Sequence, residues 1–163
     1  MNAREAIRLG IKQSDMVVRM YLGDLSDSDL LVRAVPGTNH IAWQLGHLLS
    51  SSYQMLMAVA PGAVSALPEG FAEKYTAEGS KFDSPGAFHS KAVYLKLYDE
   101  HVASTMKALD LITDADLDKP SPESMQSYAP THGDLLTLQG SHWLMHAGQW
   151  AVIRRKLGKK PLF

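Results

Sequence analysis

The stretch from Asn39 to Val59, NHIAWQLGHLLSSSYQMLMAV, constrains the fold more than any other part of this chain. Wound as a helix at about 100° per residue, it puts Leu45, Leu48, Leu49, Ser52, Leu56 and Val59 on one stripe. His40, Trp43 and His47 fall on a second stripe, roughly 130° away by the same geometry. A helix apolar on so many sides has to be enclosed on most of them. Thr38 or Asn39 is suited to cap its start, and Pro61-Gly62 stops it.

Three further segments carry apolar residues at three- and four-residue steps and supply that enclosure. One runs over residues 3–22, with Ile7, Ile11, Val18 and Tyr21 or Leu22 inward and Arg4, Arg8, Lys12 and Asp15 opposite. A third is expected over 85–112, started by Ser84-Pro85, with Phe88, Ala92, Leu95, Val102, Met106 and Leu109 on its apolar face. The fourth runs over 132–157, begun by Thr131 with Asp134 in the capping-box position and ended by Gly158 and Pro161. Nothing alternates with period two. The fold expected is all-α, a four-helix bundle. Residues 62–83 mix Gly, Pro and Ser with scattered aromatics, a long connection with at most one short helix. Such a crossover suits a bundle that is not simply up-down-up-down.

At 163 residues the chain has the length of one ordinary domain, 1–163. Sixteen basic and 17 acidic side chains leave a formal net charge of -1, which gives nucleic-acid binding little electrostatic support. No stretch approaches the roughly 18 apolar residues of a membrane span. The N-terminal residues lack the unbroken apolar centre of a signal peptide, so a cytoplasmic location is expected. The absence of cysteine removes disulfides, thiolate metal sites and cysteine nucleophiles together.

The chemistry-bearing residues are histidines. In GSHWLMHAGQW, His142 and His146 stand one helical turn apart, on the stripe of Leu135, Leu138, Ile153 and Leu157, and so can reach one ion together. Two desolvated imidazoles need hydrogen-bond partners or a metal. Spacing alone leaves both readings open, and a histidine pair of this kind is more often structural. A third ligand has to come from another helix. His47 is the best candidate, beside Gly46, which would let a neighbouring backbone approach; His40 and His132 follow. His89 and His101 sit among polar residues and are expected to face water. Zinc-peptidase HExxH, Glu-x-x-His di-iron pairs, a Gly-rich phosphate loop and a nucleophile elbow are all missing.

TNHIAWQLGHLLSSSYQML and GSHWLMHAGQWAVIRRKLGKKPLF resemble the two signature regions of the DinB-like superfamily of metal-dependent helical proteins. The resemblance implies that Trp43-x-x-x-His47 supplies one metal ligand, and that His142-x-x-x-His146, followed by Gly148 and Gln149, supplies two. It further implies a four-helix bundle with a long crossover, frequent homodimers, and one divalent ion per chain, which could be Ni, Zn, Fe or Mn. The large apolar surface of the second helix also favours a homodimer. Three imidazoles leave coordination positions open to a small-molecule substrate, the arrangement of a catalytic rather than a structural site. Hydrolase-type chemistry through an activated water is one expectation. A thiol-dependent transferase or isomerase, or a metal-binding module without turnover, are the alternatives. Gln149, Asn39 and His40 are candidates for orienting ligands or water, and Trp43, Trp143 and Tyr53 for lining the site.

Overall fold

The computed structural model describes residues 1–162 and is helical throughout, with no named strand among them. Four long helices carry the fold: α1 (Ala3–Leu22), α2 (Ile41–Val59), α3 (Lys91–Leu111) and α4 (His132–Lys156). They form a ring in the order α1, α4, α2, α3, leaving α1 and α2, and α3 and α4, across the diagonals.

Contacts between neighbouring helices fix their directions. Gly10 meets Gly140 and Arg154 donates to the carbonyl of Tyr21, so α1 and α4 run parallel. Trp150 pairs with Gln44 and Trp143 with Ser52, so α2 runs against α4. Arg8 pairs with Asp110 and Arg19 with Asp99, so α3 runs against α1. Helices α2 and α3 are therefore parallel, and the chain must return the full length of α2, about 28 Å at 1.5 Å per residue, before α3 can begin. That return is the crossover. It is built from four short 3-10 turns (Pro61–Ala63, Ala72–Tyr75, Gly79–Lys81 and Pro85–Ala87), more structure than its composition suggests.

The enclosure demanded by α2 is met within the chain. Leu45, Leu48, Leu49 and Leu56 enter the bundle core, while Phe71 and Tyr75 of the crossover cover another side. Gly46 makes room for this cover. A Cβ at that position would lie 2.1 Å from the Tyr75 ring, so the close neighbour is an aromatic side chain and not the backbone expected.

Helix α3 departs from the sequence expectation twice. It begins at Lys91, because Pro85–Ala87 makes a separate turn and Asp27, from the α1–α2 connection, accepts the Lys91 backbone N–H. Its buried face is also rotated, to Tyr94, Leu97, Tyr98, His101, Ser104, Thr105, Ala108 and Leu109. Leu95, Val102 and Met106 are only half-buried, and Ala92 is exposed. Polar residues can occupy the inner face because they find partners: Tyr94 with Tyr75 (2.8 Å), Ser104 with the Ser65 N–H (3.1 Å), and Thr105 with the His101 carbonyl (2.9 Å). In α4 the expected cap is present: Asp134 N–H donates to Thr131 Oγ1, and Thr131 N–H to Asp134 Oδ2.

No helix among the described residues is long and apolar enough to cross a membrane.

Candidate metal centre

Three histidines converge on the seam between α2 and α4. His47 reaches over from α2, and His142 and His146 stand one turn apart on α4, at the flank of its buried face. Their ring centroids lie 5.0–5.7 Å from one another. One ligand nitrogen of each falls within 4.8 Å of the other two. Nitrogens around a tetrahedral ion with bonds of about 2.0–2.1 Å stand about 3.4 Å apart, so small ring rotations complete the site. His47 and His142 are half-buried and His146 is buried, which leaves one side of the cluster open. The offset between His47 and the leucine stripe of α2 now has a reason: the leucines face the core, and His47 faces α4.

All three rings are held neutral. Burial lowers the pKa of His47. Burial, then His47, lowers that of His142, and burial with both neighbours pulls His146 down to about 4. No carboxylate contributes among these causes. A metal ligand must be the unprotonated ring, so the donor set fits a divalent ion of the nitrogen-preferring kind.

Each ring is positioned differently. Trp43 lies parallel to His47, with centroids 5.1 Å apart and planes within 5°. The crossover holds Trp43 in turn, since its Nε1–H donates to the Thr76 carbonyl at 3.0 Å. His146 is held by Gln44, whose Oε1 stands 2.9 Å from His146 Nδ1 and 2.8 Å from Trp150 Nε1. Gln44 Nε2 donates to the Asn39 carbonyl at 2.6 Å. The sequence reading missed Gln44. A buried amide one helical turn before His47, in a segment otherwise almost wholly apolar, was the available signal.

The other candidates take different roles. His40 is the N-cap of α2, where Thr38 or Asn39 was expected. Its Nδ1 accepts the Trp43 N–H at 3.1 Å and its Nε2 meets the Phe82 carbonyl at 3.1 Å, so both nitrogens are used. His132 opens α4, half-buried, outside the cluster. His101 does not face water: it is buried against Tyr98 and Trp143, and burial lowers its pKa to about 4. His89 is half-buried, stacked on Phe71 with planes within 4°. Gln149 is exposed, and Asn39 contributes its backbone carbonyl. Trp143 lies in the core and Tyr53 lines a cavity towards α3, so of the three aromatics only Trp43 borders the cluster.

The fold has a structural counterpart. A crystal structure described as a conserved protein from Enterococcus faecalis superposes with a TM-score of 0.71, covering 98% of this chain and 99% of that one at 17% identity. At that identity the likeness speaks for the fold alone. No curated protein sequence matches this chain. Residues 11–150 match the sequence profile of the DinB superfamily, a span that takes in α2, the crossover, α3 and all three clustered histidines. The chain belongs to the DinB superfamily.

Proposed function

We propose that this chain is a metal-dependent enzyme of hydrolase type, acting on a small molecule at an ion held by His47, His142 and His146. The observation that carries the reading is the convergence of three neutral imidazoles, from two helices, on a seam with one open side. Three protein ligands suit a centre that exchanges its remaining positions, where a structural ion would be closed by four. When bound, a divalent ion supplies Lewis acidity, lowering the pKa of a coordinated water or thiol towards neutrality. The chain's own part is to hold the three rings unprotonated, to fix their orientation through Trp43 and Gln44, and to leave one face accessible.

A second reading is a thiol-dependent transferase or isomerase. The same three-histidine donor set supports it, since an ion with open positions can bind and activate a thiol as well as water. Three neutral ligands leave the ion's double positive charge uncompensated, which favours an anionic fourth ligand, hydroxide or thiolate alike. Elemental analysis of protein purified without an affinity tag, followed by ester-hydrolysis and thiol-transfer assays, separates the readings. Ester hydrolysis that follows metal content supports the first. Metal-dependent thiol transfer alone supports the second, and metal without turnover makes the chain a binding module. No bound metal overturns all three.

A homodimer is proposed alongside. The apolar surface of α2 no longer argues for one, because the crossover covers it. What supports pairing is the resemblance, together with exposed Leu9, Met16 and Met20 on α1 and Leu144 and Val152 on α4. Sedimentation at micromolar concentration tests it, with a species of 17.9 kDa as the contrary result.

A further inference from the structure

We infer that Gln44 is the positioning residue of the metal centre: it fixes the proton of His146 on Nδ1 and so commits Nε2 to the ion. This rests on the metal reading above and adds a residue outside the ligand set.

The argument starts from what each partner can do. Trp150 Nε1–H can only donate, so the Gln44 atom 2.8 Å away is the amide oxygen. The Asn39 carbonyl can only accept, so the atom 2.6 Å from it is the amide nitrogen. Two independent partners therefore fix the same orientation of the amide. His146 Nδ1 lies 2.9 Å from that oxygen and must carry the hydrogen. In a neutral ring this leaves the Nε2 lone pair free. Gln44 is 1% exposed, so no water competes for the oxygen.

The three ligands are unequal as a result. No hydrogen bond of the kind His146 gives Gln44 is present for the second nitrogen of His47 or His142 among the described residues. His47 is oriented by stacking on Trp43, and His142 by its place on α4. Gln44 also spans the seam, tying the residue before the α2 cap to two residues of α4. Partners of this type, behind a ligating imidazole, raise its basicity and hold the ring in line with the ion.

The test uses Gln44→Leu, which removes the acceptor, and Gln44→Glu, which keeps it but cannot donate to the Asn39 carbonyl. Nitrogen-15 NMR of the metal-free protein above neutral pH reads the tautomer, and competition titration with Zn(II) reads affinity. His146 is expected to carry its proton on Nδ1 in the wild type and in Gln44→Glu, and to lose that preference in Gln44→Leu. Zn(II) affinity should fall by about tenfold to a hundredfold in Gln44→Leu and be kept or raised in Gln44→Glu. A merely structural Gln44 predicts a different pattern: both variants lose the bond to the Asn39 carbonyl, and the two do not separate in affinity. A wild-type proton on Nε2, or wild-type affinity in Gln44→Leu, overturns the inference. If Gln44→Leu does not fold, the wild-type tautomer and the Gln44→Glu titration decide it. Failure of the proposed function looks different, because the wild type itself then binds no Zn(II), and the positioning role falls with it whatever the tautomer.

Discussion

Besides His40, which caps α2, the bundle buries histidine in two ways, on two sides of that helix. Towards α4, His47, His142 and His146 meet at a half-open seam with one nitrogen of each ring within 4.8 Å of the other two. Towards α3, His101 stands alone beside a cavity of about 20 Å³, its ring 21° from parallel to Trp143 and 5.7 Å from it. Burial lowers the pKa of His101 and of His146 alike, both to about 4. Depressed basicity therefore does not distinguish a ligand from a packed ring. Convergence does: three nitrogens within 4.8 Å can share an ion, and one ring against two aromatics cannot.

The sharpest way to break this comparison is to remove a ring from each side. His142→Ala or His146→Ala should lower metal affinity by more than the about tenfold to hundredfold that accompanies loss of a partner behind a ligand. Helicity should survive, since most of the stability resides in the core around Leu45, Leu48, Trp143 and Trp150. His101→Phe should bind metal as the wild type does, its added volume taken up by the adjoining cavity. Metal content by mass spectrometry with far-UV circular dichroism reads both. A His142→Ala protein that keeps wild-type affinity, or a His101→Phe protein that loses it, erases the distinction between the two sides.

Acid separates them by a different observable. The unfolded chain takes a proton on His101 near pH 6.5, and the folded chain only near pH 4. As pH falls through that interval protons accumulate on the unfolded chain, so stability is lost between 6.5 and 4 and levels off below. The interval corresponds to about 3 kcal/mol at its limit. His146 behaves likewise in metal-free protein, with its pKa also near 4. Urea unfolding of metal-free protein at several pH values should show this loss, with the His101 share gone in His101→Phe. An unchanged pH slope in that variant would place the acid sensitivity elsewhere. Metal loading should protect the shares of His47, His142 and His146 and leave that of His101, because an occupied lone pair cannot take a proton.

A smaller effect comes from the cover over α2. Gly46→Ala drives a Cβ into the Tyr75 ring, and overpacking of this kind costs about 1–3 kcal/mol. The displaced crossover also carries Thr76, the acceptor that holds Trp43 against His47, so metal affinity should weaken alongside stability. Thermal unfolding and Zn(II) titration of the same sample check the pair. Loss of stability with unaltered affinity would show that the crossover does not position the site.

How much of this could be read beforehand differs along the chain. Helix α1 was legible from its strong amphipathic period, and α2 and α4 from sharp boundaries, such as the Thr131–Asp134 capping box and the Pro61 stop. The His142–His146 pairing was legible from a four-residue step, and His47 gained weight as its partner from the two-motif resemblance. Helix α3 was misplaced for a physical reason. Its inner face carries Tyr94, Ser104 and His101, whose burial depends on partners supplied by the crossover and by α4, and apolar periodicity cannot report partners that lie elsewhere in the chain. Gln44 was missed for the same reason. Its role is defined by Trp150 and His146, more than a hundred residues away.

His89 gives the finest test, because the sequence expectation and the structure differ on stability while agreeing on metal. A solvent-facing ring predicts no change for His89→Ala. The structure predicts unchanged metal content, since His89 lies outside the cluster, with a stability loss of about 1 kcal/mol from the lost stack on Phe71 at 5.3 Å. The loss is held to that size by an opposing effect. His89 Nε2 is buried without a hydrogen-bond partner, so truncation also removes an unsatisfied polar atom. His89→Phe separates the two contributions by keeping a ring against Phe71 while deleting that nitrogen. It should be at least as stable as the wild type, and clearly more stable than His89→Ala, in urea unfolding at neutral pH. If His89→Phe proves the weaker of the two variants, the buried nitrogen has a partner that stabilises the crossover, and His89 is held there as His40 is at the start of α2.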